Sequence, residues 1–164
     1  MIWRLSHRAD TFARLIADRH YNRQKVGTPQ FVPPGRCMVL TAETDTGSAL
    51  RVTSWPIAEY VKHAWPGAWV CSAFRNEGAG RSSDLIRDAV SATRAYFGAP
   101  PLLGMITFVD RAKTRAKANP GHCYIIAGFR PVQDTKGGLA ALQMLPRQMP
   151  APKLGIDFQH EFAA

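Results

Sequence analysis

Cysteine is scarce in this chain: Cys37, Cys71 and Cys123 stand far apart in 164 residues, with no Cys-x-x-Cys pair and no histidine at ligand spacing. That excludes a disulfide-stapled secreted scaffold and a zinc ribbon, and it fits a reducing cytoplasm with each thiol acting as a small buried hydrophobe. Long apolar runs are also lacking. The longest, residues 102–109, is too short for a membrane span, and the opening Met1-Ile2-Trp3-Arg4 turns polar at once, so neither insertion nor export is expected. Acidic side chains are few, 12 against 21 Lys+Arg, which leaves a net charge of +9. A polyanion is a natural partner for such a balance because neutralised phosphates release counterions, although a solubilising surface has the same composition. At 46% hydrophobic and 20% charged the composition is that of a folded globular chain. No repeat or linker divides it, so one domain over 1–164 is expected, irregular from residue 146.

The basic excess falls in two blocks, residues 4–36 and 75–117. Leu5, Phe12, Leu15 and Ile16 recur at helical spacing, and Asp10 suits the cap of a helix over 11–20. Residues 26–36 are too rich in Pro and Gly for regular structure and read as one long ordered loop. Two β-prone runs, 37–41 and 50–55, flank the turn-forming Asp45-Thr46-Gly47-Ser48 and predict a hairpin. A strand over 69–74, a glycine-rich turn over 75–80, a helix from Ser82 or Ser83 to Phe97 and an apolar strand over 102–109 then predict a βαβ unit with parallel strands. Residues 111–117 are helix-permissive, and 123–127 read as a short helix. A final hairpin turns at 134–138 before a strand over 139–145.

Arg75-Asn76-Glu77-Gly78-Ala79-Gly80 fits R-x-x-G-x-G where a strand hands over to a helix. Glycines there admit backbone N–H groups to a pyrophosphate, and the helix N-terminus adds a favourable dipole; a plain structural turn has the same composition. Together with the element order and Tyr124-x-x-Ala127-Gly128-Phe129, the motif makes residues 5–145 resemble the GNAT acyltransferase superfamily. The resemblance implies an α/β (α+β) fold with a mixed central sheet. It also implies that Arg75, Asn76, Gly78, Ala79, Gly80, Ser82 and Ser83 surround the pyrophosphate of acetyl-coenzyme A or another acyl-coenzyme A, with no metal. One departure stands out: Arg81-Ser82-Ser83-Asp84 lengthens the connection from Gly80 to Leu85 and brings a carboxylate toward the phosphate turn.

A narrower resemblance concerns the acceptor. His20-Tyr21-Asn22, the Pro-rich loop, Phe74-Arg75-Asn76, Ser82-Ser83, Asp110 and Tyr124 together resemble the Mom-type phage proteins, GNAT-like enzymes that modify adenine N6 in DNA. By position, Arg75 would orient donor or acceptor, Ser83 would contact the cofactor, Asp110 would bind or activate the acceptor, and Tyr21 and Tyr124 would line the site. Chemistry supports two of these roles. Asp110 ends the buried strand, where open α/β sheets place ligands, and its carboxylate suits proton transfer from an attacking amine. The Tyr124 phenol suits protonation of a departing thiolate. The alternatives are a helix-capping Asp110 and a packed Tyr124.

His20, Tyr21, Asn22, Arg23 and Gln24 combine a stackable ring, a base-reading amide and a cation, as a flipped-base pocket requires. A plain helix end has the same residues. Arg111, Lys113, Arg115 and Lys117 are placed to follow a phosphate backbone, or to form a solvated face, and Arg36 is expected to flank the acceptor cleft. Cys71 and Cys123 lack an adjacent base at recognisable spacing and are not expected to carry the acyl group. Three functions follow: an N-acyltransferase acting on a DNA base amine, a GNAT enzyme acting on aminoacyl-tRNA, a protein or a small amine, and a nucleic-acid-binding module without catalysis.

Overall fold

The computed structural model describes residues 1–114 and 119–158. Helix α1 (Thr11–Asp18) starts where expected, the Asp10 carboxylate accepting the Phe12 N–H at 2.8 Å. It buries Ala13, Ile16 and Ala17 against Val39, Leu50 and Val52. It ends at Asp18 rather than at residue 20, and the freed His20-Tyr21-Asn22 turns toward the sheet.

Strands β2 (Cys37–Thr44) and β3 (Gly47–Ser54) pair antiparallel through their whole length around Asp45-Thr46, a longer hairpin than the apolar runs predict. Its tip presses on the end of β4 (Trp69–Glu77). A Cβ on Gly47 would stand 1.9 Å from the Glu77 carbonyl oxygen, and one on Gly78, at φ +90°, 2.8 Å from that of Thr46. Gly78 is therefore required by backbone approach, whatever else the turn does. Between β3 and β4 the register passes from Val52↔Ala73 to Thr53↔Cys71, so Ser72 is an extra, bulged residue.

Helix α2 (Ser82–Phe97) lays Leu85, Ile86, Ala89, Val90 and Thr93 onto the sheet, and Gly98, at φ +89°, stops it. Strand β5 (Met105–Val109) pairs parallel with β4, as the βαβ reading expects. It starts three residues later than expected, because Leu102 and Leu103 form a turn ahead of it. Leu102 is 93% exposed, and Gly104 passes so close to Met144 that a Cβ would meet its carbonyl oxygen at 2.0 Å.

Helix α3 (His122–Ala127) precedes β6 (Arg130–Val132) and β7 (Ala140–Met144). Counting the N-terminal β1 (Arg4–Leu5), which the sequence did not suggest, the sheet has seven strands in the order β1-β2-β3-β4-β5-β7-β6. All neighbours are antiparallel except β4 and β5. The fold is thus a mixed sheet of the α+β class, with α2 and α3 on one face and α1 on the other.

Two further expectations change. Residues 111–114 form a turn closed by the Thr114 N–H on the Asp110 carbonyl, while 115–118 lie outside the described residues. The chain after residue 146 is not irregular throughout. Ile156 exchanges backbone bonds with Trp3 and Leu5, and Phe158 is fully buried among Trp3, Leu40 and Ala92. Burial of that one ring anchors the segment. No helix among the described residues is long and apolar enough to cross a membrane.

Candidate functional site

Strands β4 and β5 pair only at Trp69↔Met105, Val70↔Ile106 and Cys71↔Thr107. Past that point they part. Ala73 through Asn76 keep β3 on one side and have no strand on the other among the described residues, and a cleft of about 170 Å3 opens there. Its walls include Tyr21, Cys71, Phe74, Arg75, Asn76, Ser82 and Tyr124.

Backbone groups left by a departing strand need other partners. His20 Nε2 lies 3.1 Å from the Phe74 carbonyl oxygen, and Asn22 Nδ2 donates to that of Ser72 at 3.0 Å. The His20 Nδ1 accepts the Asn22 N–H at 3.2 Å, which assigns the proton to Nε2. His20 and Tyr21 stack with centroids 4.6 Å apart. So the 20–22 segment does reach the cleft, but its polar atoms serve two carbonyls of the β4 edge. On the α1 side lies a second cavity of about 500 Å3, bounded by the Pro-rich loop, which shares His20, Asn22, Ser72 and Ala73 with the first.

Asn76 organises the glycine-rich turn. Its Nδ2 donates to the Gly80 carbonyl at 2.7 Å and to Ser82 Oγ at 2.9 Å, while Oδ1 accepts the N–H groups of Gly78 and Ala79. Two amides expected for a phosphate are thereby already used. The start of α2 differs: its cap is Arg81, with no side-chain bond, rather than Ser82 or Ser83. An anionic group fits that uncapped turn better than the glycine loop itself. Ser83 is buried in the α2 packing face and absent from the cleft wall, and Asp84 points to solvent.

Arg75 lines the cleft, but its Nε donates to Glu77 Oε2 at 2.7 Å. Arg19 clasps the same carboxylate through Nε at 2.8 Å and Nη2 at 2.5 Å. Glu77 is held down at about 2, mainly by its bonds to Arg19 and then to Arg75. The motif's central acid thus neutralises its own arginine, a role the R-x-x-G-x-G pattern conceals.

Tyr124, buried on α3, faces the cleft with its hydroxyl 3.5 Å from Cys71 Sγ and its ring edge-on to Phe74 and Phe129. Burial lifts its phenol well above the ordinary tyrosine value, Cys71 adds to the rise, and the Arg51 cation opposes it. Such a phenol stays protonated at neutral pH. Asp110 caps the turn after β5, its Oδ1 accepting the N–H groups of Ala112 and Lys113. It borders an adjoining cavity of about 260 Å3 with Tyr21, Asn22, Cys71 and Lys113, not the main cleft. Partial burial beside Asp110 raises the Tyr21 phenol.

The expected phosphate-following cations are dispersed. Arg23 pairs with Asp18 at 2.8 Å and bonds to the carbonyls of Thr28 and Gln30, so it pins the long loop instead of reaching outward. Arg36 stacks on Trp55, 4.3 Å from the ring centroid, at the opposite end of α2 from the cleft. Arg111 pairs with Asp134 at 2.9 and 3.2 Å, Lys113 is exposed, and Arg115 and Lys117 lie outside the described residues. Among the described residues no group of three or more His, Cys, Asp or Glu side chains is placed to hold a metal. Cys71, Cys123, Phe108 and Thr114 complete the cleft without having been expected there, because only the folding of three distant segments brings them together. Set against family models, curated proteins and solved structures, the chain matches none.

Proposed function

We propose that this protein is an N-acyltransferase that moves an acyl group from a coenzyme A thioester to an amine on DNA, adenine N6 being the first candidate. The observation that carries the reading is the parting of parallel β4 and β5 directly beside the uncapped start of α2. A cleft there offers a thioester carbonyl the exposed edge of β4 and offers phosphates the α2 amides. Tyr124, kept protonated by burial, is the proton donor for the departing thiolate. Asp110 and Tyr21 stand together where an incoming amine would enter, and the second cavity gives the acceptor its own approach from the α1 side. A cytoplasmic setting belongs to the same reading.

Arg19, Arg23 and Arg111 spend their charge on Glu77, Asp18 and Asp134, which favours as second reading a GNAT enzyme acting on aminoacyl-tRNA, a protein or a small amine. Incubation with duplex DNA and a panel of acyl-coenzyme A donors, digestion to nucleosides and mass spectrometry separates the two. A mass-shifted base is expected. Acylation of tRNA or peptide with unmodified nucleosides would establish the second reading, and DNA binding without turnover of any acceptor would leave only a binding module.

A further inference from the structure

Arg51 occupies the middle of β3, and strand alternation puts it with Ala49 and Thr53 on the α2 side of the sheet, fully buried. Its Nε donates to Thr53 Oγ1 at 3.3 Å and its Nη2 to Met105 Sδ at 2.8 Å, while Nη1, also buried, has no partner. Among the described residues no carboxylate pairs with it. A guanidinium keeps its charge even when buried, and an uncompensated interior charge is a costly arrangement for a fold to retain. Thr53 stands opposite Cys71, and Met105 packs in one cluster with Cys71 and Tyr124. Reaching from β3 to β5, the side chain passes beneath β4 at the closed end of the cleft.

We propose that Arg51 is a positioning residue that holds the closed end of the cleft at positive potential and thereby stabilises negative charge arising on Tyr124, on Cys71 or on a ligand atom lying against them. It rests on the acyl-transfer reading only for the identity of that charge. There it is the phenolate formed when the Tyr124 O–H bond breaks and its proton bonds to the departing thiolate sulfur, giving a free thiol. The other groups facing the Tyr124–Cys71 pair are Cys123 on α3, His20 and Tyr21 after α1, and Asp110 and the exposed Lys113 beyond β5. Arg87 of α2 is committed to the Ala127 carbonyl, and Arg75 is balanced by Glu77. Arg51 is thus the buried cation of this end that no acid offsets among the described residues.

The test needs neither acyl donor nor acceptor, so its failure is distinct from failure of the acyl-transfer reading. Cys71 is alkylated separately with anionic iodoacetate and neutral iodoacetamide, and the rate ratio is read by peptide mass spectrometry. The reference is the same ratio in a synthetic peptide of residues 68–73. A buried cation favours the anionic reagent, so the native ratio is expected to exceed that of the peptide about tenfold. Arg51→Met and Arg51→Gln should bring it down to the peptide value, and Arg51→Lys should restore at least half of the excess. A native ratio no higher than that of the peptide overturns the proposal with no variant needed. So does an unchanged ratio in R51M or R51Q protein that still melts cooperatively.

Discussion

The two halves of β4 make the most instructive comparison in the molecule. Trp69, Val70 and Cys71 are zipped to β5, and Trp69 is wholly buried against Trp55, Phe97 and Met105. Ser72 through Glu77, on the same strand, lose that neighbour after the Ser72 bulge. On their open edge His20 and Asn22 bond the Phe74 and Ser72 carbonyls, and their side chains include Arg75, Asn76 and Glu77. One half is held by packing, the other by directed polar bonds. A strand that changes partner along its length provides a rigid base and an open edge together, and the chemistry-bearing residues gather at the open edge.

Substitutions that treat the halves alike would break this comparison. The largest effect is expected from Trp69→Ala, which removes a buried ring from the zipped half and should lower stability by about 3–5 kcal/mol in denaturant unfolding. A loss below about 1 kcal/mol would mean that the closed half does not anchor the strand. Tyr124→Phe should do the reverse. Transfer turnover is expected to fall about 100-fold while the melting temperature barely moves, since only the hydroxyl contact with Cys71 is lost. Asn76→Ala strips the turn of its four bonds and should cost about 1–3 kcal/mol, with weaker affinity for coenzyme A measured by calorimetry.

Acid titration sharpens the contrast further. Glu77 titrates at about 2 in the fold against an ordinary 4.5, so its carboxylate stabilises the folded state fully above pH 4.5 and progressively less as pH falls toward 2. Wild-type protein should therefore be more stable than Glu77→Gln at neutral pH, with the two unfolding curves converging between pH 4.5 and 2. Parallel curves over that range would detach Glu77 from the arginine clasp.

Periodicity and turn chemistry made much of the fold legible. Asp10 marked the start of α1, Leu85, Ile86, Ala89 and Val90 marked the buried face of α2, and the glycines bounded the βαβ unit. Elements whose support is tertiary were not legible. Two-residue β1 and the anchored Phe158 depend on each other across the whole chain, and β5 begins late because Gly104 must pass the backbone of Met144. At the site, Tyr124, Arg75 and Asn76 do meet in one cleft, as their motifs implied. Ser83 does not join them, because its place in the helical repeat turns it inward. Arg23 and Arg111 counted as free cations in the sequence but meet Asp18 and Asp134 in the fold. The burial of Arg51 was not legible, since alternation in Ala49-Leu50-Arg51-Val52-Thr53 sets it opposite the apolar Leu50 and Val52, on the face that a sheet covered on one side only would leave to solvent.

Amide hydrogen exchange along β4, with and without acetyl-coenzyme A, tests the central claim most directly. New protection is expected to be confined to Ser72 through Glu77 and the first turn of α2, with Trp69 through Cys71 equally protected in both states. Protection that appears at neither segment, or that spreads only along the Pro-rich loop and α1, would contradict it.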